Sequence, residues 1–205
     1  GLVGSEMCIR DSYNSVGYTN QDGVMKGTNY QRYTLQSKQD FKKGIFQAGT
    51  NVVLTYDQSN PLYSVIRGGM VGHTLQAIPT WEQYDENRTG GYGGLYGDVV
   101  NLTHPLGMVD DNLMKRYSDN VKIFANAYVS VELMKGLKYK LNLTPDFQFY
   151  RYNSYEGLFD FGLAKHDITA VTEQQTRTRN ILVENLLTFD RTFGDHKVSA
   201  LVGYT

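Results

Sequence analysis

The chain has 205 residues, 40% of them hydrophobic and 13% aromatic, and its 20 Lys and Arg residues nearly balance its 21 Asp and Glu residues. That balance argues against a nucleic-acid-binding protein, which usually carries a basic excess. The single cysteine, Cys8, excludes an internal disulfide and a cysteine-based zinc site. No apolar run is long enough for a transmembrane helix.

The first twelve residues differ from the rest of the chain. Their sequence, Gly-Leu-Val-Gly-Ser-Glu-Met-Cys-Ile-Arg-Asp-Ser, resembles the conceptual translation of a sequencing-adapter read. We therefore expect residues 1–12 to be an artefactual or disordered N-terminus, and Cys8 to have no function. The folded part is expected to cover residues 13–205.

The remaining sequence has the period-two hydrophobic pattern of β-strands. A strand at 13–19 is followed by hairpins that pair 29–39 with 45–56 across a turn at 40–44, 121–133 with 137–150 across 134–136, and 180–192 with 197–205 across 193–196. Pro145 predicts a bulge or a local break, because proline removes one donor from the ladder.

The strand at 121–133 shows the pattern best. Every second residue is apolar, and these residues form one face: Val121, Ile123, Ala125, Ala127, Val129, Val131 and Leu133. The residues between them form a mixed polar face. Such a strand predicts a sheet with one apolar and one polar side.

The predicted connections alternate between short turns and two long loops, at 57–118 and 151–178. Seven long strands joined in this way are typical of a transmembrane β-barrel, with turns on one rim and loops on the other. The fold class is therefore all-β, a fragment of a large antiparallel barrel with a short loop helix at 62–77. A soluble β-sandwich and a lipocalin-like barrel are alternatives that would share the alternation.

The first long loop is rich in aromatic and glycine residues. Aromatic rings beside Asp, Asn and Arg suit sugars or peptides, because they offer apolar faces and hydrogen-bonding tips together. Ligand contacts are therefore predicted at Trp81, Tyr84, Tyr92 and Tyr96, although each ring could equally serve to pack the loop. The four scattered His residues and the lack of a nucleophile motif predict no metal, no cofactor and no catalytic activity.

Several segments resemble the SusC/RagA family of TonB-linked outer-membrane proteins. These segments are 17–28 (Gly-Tyr-Thr-Asn-Gln-Asp-Gly-Val-Met-Lys-Gly-Thr), 30–34, 41–55, 79–91 around Tyr84-Asp85, 101–106 (Asn-Leu-Thr-His-Pro-Leu) and 184–204. The resemblance runs from residue 12 to the end. The family's signal peptide, TonB box, plug and full set of barrel strands are not recognised, so we expect a fragment of a partial receptor barrel.

The resemblance implies an outer-membrane importer of a glycan or peptide. Its partners would be a SusD-like surface lipoprotein, TonB acting through the plug, the oligosaccharide or peptide substrate, and outer-membrane lipid against the apolar face of 121–133. Two alternatives remain open at this point. One is a secreted soluble β-sandwich that binds carbohydrate through the aromatic loop, and the other is an outer-membrane porin without TonB coupling.

Overall fold

The structure is a computed structural model that describes residues 9–61, 69–95 and 102–205. Seven antiparallel strands form one sheet, each paired with the next along the chain. They are β1 (Ile9–Asp22), β2 (Asn29–Lys43), β3 (Phe46–Asn60), β4 (Met114–Met134), β5 (Leu137–Glu156), β8 (Ala170–Phe193) and β9 (His196–Tyr204). The all-β prediction with about seven strands is confirmed.

The other elements lie in the connections. A helix α1 (Gly69–Leu75) and a 3-10 turn (Gly107–Val109) follow β3, and a two-stranded ribbon of β6 (Phe159–Asp160) and β7 (Lys165–His166) follows β5. The helix predicted at 62–77 is present in its second half, and residues 62–68 lie outside the described residues. No helix in the described ranges is long and apolar enough to cross a membrane.

Several strands are longer than predicted, so the loops that connect them are shorter. The loop predicted at 57–118 spans only 61–113, and the loop predicted at 151–178 spans only 157–169. The predicted turn at 40–44 was also wrong, since β2 continues to Lys43 and the chain turns at Gly44 and Ile45. Both errors have one cause: the strand ends carry polar residues on both faces, so the hydrophobic alternation stops before the strand does.

The strand β1 begins at Ile9, so residues 9–12 pair with β2, as in Ser12 opposite Gln39. These four residues belong to the segment that resembles an adapter read. The origin of that segment stays a prediction, and sequencing the native locus would test it.

Pairing between β4 and β5 is interrupted beside Pro145. Phe124 pairs with Asp146 and Ala127 pairs with Leu143, but the two β4 residues between them have no partner in this ladder. The register is the same on both sides, because the missing proline donor opens the ladder without inserting a residue. The predicted local break is therefore present, without a bulge.

The sheet has one apolar face that continues across the strands. Residues opposite one another in antiparallel strands share a face, and Val129 of β4 lies between Ala48 of β3 and Leu141 of β5. The side chain of Val129 is 53% exposed. The apolar face thus has no covering layer in the described residues, as expected for a wall and not for a sandwich.

The buried core lies in the loops rather than against the middle of the sheet. It consists of Met70, Met108, Leu113, Met114, Phe159 and Phe161. All but Met114 come from the 61–113 and 157–169 connections, which follow β3 and β5 at the same end of the sheet. We call this folded unit, residues 69–95, 102–113 and 157–169, the cap.

Candidate functional site

The cap is joined across its two connections by backbone hydrogen bonds. The Leu95 amide donates to the Phe161 carbonyl (2.9 Å), and the Leu163 amide donates to the Leu95 carbonyl (3.1 Å). The Asp160 amide donates to the Thr89 carbonyl (2.8 Å), and Phe161 is fully buried between them. The two connections therefore fold as one unit.

Arg88 also links these two connections, through ion pairs. Its Nε lies 3.0 Å from Asp85 Oδ2 and its Nη1 lies 3.2 Å from Asp160 Oδ1. The Arg88 side chain is 13% exposed, which strengthens both pairs relative to surface ion pairs. The guanidinium thus holds a carboxylate from each connection.

Trp81, predicted as a ligand contact, has its polar atom occupied inside the cap. Its indole Nε1–H donates to the Gly93 carbonyl (3.0 Å), and its ring stands edge-on to His104 with a centroid distance of 4.8 Å. The ring is half-buried. This geometry fits packing within the loop.

Tyr92 is also committed to the cap. Its hydroxyl donates to Asp110 Oδ2 at 2.9 Å. Burial, helped by the Asp110 carboxylate, raises the pKa of Tyr92 to about 12. The hydroxyl therefore stays protonated at any physiological pH and anchors the ring.

His104 stands between these two aromatic rings and was not singled out by its sequence context. Its Nδ1 accepts a hydrogen bond from the Leu106 amide (3.3 Å), and the ring also bonds to the Glu82 backbone. Burial lowers the pKa of His104 below its ordinary value. Because Nδ1 is an acceptor, the fold requires the neutral ring.

Tyr84 is the predicted contact that remains open to solvent. Its side chain is 63% exposed, and its ring lies 5.6 Å from the Tyr92 ring, centroid to centroid. The Gln83 amide donates to its hydroxyl at 3.3 Å. Tyr96 lies outside the described residues. The structure therefore brings Trp81, Tyr84 and Tyr92 into one aromatic cluster around His104, and Tyr84 forms its exposed edge.

The polar face of the sheet carries a hydrogen-bonded ladder. The Tyr128 hydroxyl donates to Asp40 Oδ1 at 2.7 Å, and the Lys140 ammonium lies 4.4 Å from the centre of the same ring. Further along, Asn142 donates to Glu184 at 2.7 Å. Sequence periodicity predicted the polar face but not these partners, which come from different strands.

Gly49 allows Tyr128 to reach Asp40 across the intervening strand. Gly49 pairs with Asp40 on one side and with Tyr128 on the other. A Cβ at this position would lie 2.4 Å from Asp40 Oδ1 and 2.5 Å from the Tyr128 ring. The close approach therefore requires glycine in the middle of β3.

No group of three or more His, Cys, Asp or Glu side chains in the described ranges could hold a metal ion. The site offers aromatic surface, amide groups and carboxylates instead. Such an arrangement can bind a polar ligand.

No protein-family model matches the chain. Two curated relatives are TonB-dependent receptors P3 and P39 of Formosa agariphila, with 28% and 25% identity over 94% of this chain. The chain spans 19% and 18% of their lengths. Both are named as receptors, not as enzymes.

Two solved structures share the fold. They are the RagAB peptide transporter, with a TM-score of 0.74, and the RagAB peptide importer in the closed-closed state, with a TM-score of 0.72. Each is 17% identical over 95% of this chain and 22% of the other chain. The similarity in sequence to TonB-dependent receptors and in fold to part of RagAB confirms the predicted resemblance to the SusC/RagA family and the outer-membrane localisation.

Proposed function

We propose that the chain is part of a TonB-dependent importer that moves an oligosaccharide or a peptide across the outer membrane. It contributes wall strands and the extracellular cap. The observation that supports this proposal best is the division of one sheet into a continuous apolar face and a hydrogen-bonded polar face, capped at one end by a folded loop unit.

The height of the apolar face matches a membrane. On β4 it runs from Val121 to Leu133, which are twelve residues apart. At about 3.3 Å per residue and a strand tilt of about 40°, this distance corresponds to roughly 30 Å along the membrane normal. The hydrocarbon core of a bilayer has a similar thickness. Lipid is therefore the proposed environment of Val121, Ile123, Ala125, Ala127, Val129, Val131 and Leu133.

Aromatic residues border this face, as they do in outer-membrane barrels. At the cap end Tyr18, Tyr33 and Tyr56 lie side by side, with ring centroids 4.9 Å and 6.3 Å apart. At the opposite end Phe46 and Phe193 are 55% and 48% exposed. The two groups mark the proposed interfaces of the membrane.

The cap is the proposed ligand-facing part of the chain. Tyr84 offers an exposed ring next to the carboxylates and amides of the aromatic cluster, with Trp81, Tyr92 and Tyr96 as the other candidate contacts. We further propose that a SusD-like lipoprotein covers this side, and that TonB acts through a plug in the whole receptor. The neighbour named a peptide transporter makes a peptide the first substrate class to test.

Thiol labelling of the full-length receptor in outer-membrane vesicles tests the membrane assignment. Val129→Cys and Ser130→Cys are adjacent but lie on opposite faces, and each is introduced into a receptor whose native cysteines have been replaced by serine. We expect a lipid-soluble maleimide to label Val129→Cys and a water-soluble reagent to label Ser130→Cys. Equal labelling of both positions by the water-soluble reagent would favour the soluble sandwich.

Uptake of labelled peptides and oligosaccharides by cells that carry the full-length receptor tests the import function. We expect uptake to require both the receptor gene and TonB. Tyr84→Ala should reduce ligand binding, whereas Val24→Ala, at an exposed loop residue outside the aromatic cluster, serves as the control. TonB-independent uptake would point to a porin instead.

A further inference from the structure

The cap leans over the polar face of the sheet. On that face of β4, Met114, Arg116 and Ser118 are buried. Lys115 lies between the first two of them on the opposite face, and it is exposed. A small cavity between the cap and the sheet has Met70 of the cap and Arg116 of the sheet in its lining. A ligand held beneath the cap therefore meets the polar face of the wall.

Two tyrosines lie on this face where the cover of the cap ends. Tyr152 pairs with Ser118, the last of the buried residues, and Tyr150 pairs with Asn120. Both tyrosines are half-buried, and Gln148 follows them on the same face. Their strand β5 lies between β4 and β8, so their neighbours on both sides belong to the described sheet. We call Gln148, Tyr150 and Tyr152 the wall shelf.

The charged groups beside the wall shelf are engaged with other wall residues. Lys122 Nζ lies 3.6 Å from Asp146 Oδ2. Asp57 Oδ1 accepts a hydrogen bond from Asn120 Nδ2 at 3.2 Å. Arg32 pairs with Asp57 from β2, which is three strands and about 14 Å away from β5.

The three side chains of the wall shelf keep their polar groups available. In the part of the chain that the structure describes, none of them forms a hydrogen bond or a ring contact with another side chain. The available groups are two hydroxyls and one amide, which are uncharged and can both donate and accept. The shelf thus combines two aromatic rings with uncharged hydrogen-bonding groups.

We propose that the wall shelf is a second ligand subsite, below the aromatic cluster of the cap, and that it binds an uncharged oligosaccharide. Tyrosine supplies a large amphipathic contact surface at a low cost in conformational entropy. Sugar hydroxyls both donate and accept hydrogen bonds, as the shelf groups do, and the C–H face of a sugar ring can lie on a tyrosine ring. A charged peptide group would meet no unpaired opposite charge on the shelf. The proposal rests on the proposed import function and names its substrate class.

The position of the wall shelf predicts that binding depends on the length of the ligand. Met114 belongs to the core of the cap, and Asn120, which pairs with Tyr150, lies six residues further along β4. This separation corresponds to about 20 Å. A ligand long enough to reach both subsites gains avidity, because its second contact is intramolecular. The affinity should therefore rise with chain length until the ligand spans this distance.

Binding of labelled oligosaccharides to the full-length receptor in nanodiscs tests the proposal. The probes are uncharged glucan, xylan and mannan fragments of graded length, together with uncharged peptides of the same lengths. We expect the affinity for one oligosaccharide series to rise with length. The double variant Tyr150→Ala/Tyr152→Ala should bind the longest fragment of that series about ten-fold more weakly or worse, which removes the gain with length.

Two further variants separate the subsite from a structural role. Tyr150→Phe/Tyr152→Phe keeps both rings and should retain more affinity than the alanine variant. Tyr155→Ala is the matched control, because Tyr155 lies on the same strand near the same end but pairs with Lys115 on the opposite face. We expect this control to bind all fragments as the unchanged receptor does.

Several results would overturn the proposal. These are unchanged binding by the alanine variant, an equal loss in Tyr155→Ala, equal binding of the uncharged peptides, or no binding of any oligosaccharide. An alanine variant that loses affinity equally for short and long fragments would overturn it as well, since that result indicates a structural role. TonB-dependent uptake by the unchanged receptor is measured in parallel, so that a failure of the import proposal is seen separately.

Discussion

An arginine on the outward face of β4 should destabilise the folded receptor by an amount that depends on its depth. Ala127 lies six residues from both Val121 and Leu133, which places it about 15 Å from either border of the apolar band at a strand tilt of about 40°. Ala127→Arg should lower the free energy of unfolding by about 2–4 kcal/mol, the cost of a cation at the bilayer midplane. Leu133→Arg, at the border, should cost no more than about 1 kcal/mol.

The assay is urea-induced unfolding of the full-length receptor in phospholipid vesicles, followed by tryptophan fluorescence. Ser130→Arg is the control for the opposite face, because Ser130 lies between the two depths but on the polar side. We expect it to leave the unfolding midpoint nearly unchanged. Equal losses for Ala127→Arg and Leu133→Arg, or a larger loss for Ser130→Arg, would refute the membrane assignment of this face.

Three further changes test the cap and the polar ladder. Arg88→Met should weaken the cap by about 2 kcal/mol, because it leaves two partly buried carboxylates, including Asp160, without their cation. Faster proteolysis of the cap in the full-length receptor would report this loss of stability. The lowered pKa of His104 predicts that cap stability is retained above about pH 6.5 and falls as the pH drops towards that lowered pKa, as hydrogen-exchange protection at pH 7 and pH 5 would show. Gly49→Val should displace Tyr128 and cost about 1–3 kcal/mol in the vesicle unfolding assay.

Each of these three changes has a control and a contradicting outcome. Lys165→Met removes an exposed cation of the same ribbon and should leave proteolysis unchanged, whereas an equal effect would contradict the role of Arg88. His104→Asn should flatten the pH dependence, and a persistent dependence would assign it to another group. Gly17→Val should be tolerated better than Gly49→Val, because an added Cβ at Gly17 would meet only Thr34 Cβ, at an ordinary 3.8 Å.

The strands of the wall were predictable because their apolar side chains recur with the two-residue period of a β-strand. Every second residue from 121 to 133 is apolar without exception, so strand type, sheet face and hairpin order followed from the sequence. The wrongly predicted strand limits lie where this hydrophobic alternation ends. The upper part of β8, including Arg177, is polar on both faces, and it was therefore assigned to a loop.

The cap could not be predicted in the same way. Its core joins Met70 and Met108 to Phe159 and Phe161, which lie in separate connections. The aromatic cluster likewise depends on His104, whose sequence neighbours give no sign that it packs between Trp81 and Tyr92. No local periodicity encodes such contacts, because each depends on how two loops meet above the sheet.

The sequence by itself determined an antiparallel wall with an apolar face and the order of its hairpins, and it predicted ligand contacts in an aromatic loop. The tertiary structure decided which aromatic side chains are exposed, leaving Tyr84 open to solvent and committing Trp81 and Tyr92 to internal hydrogen bonds. The physical reason is that strand alternation is a local property, whereas height on the wall and burial in the cap arise from pairing between distant segments.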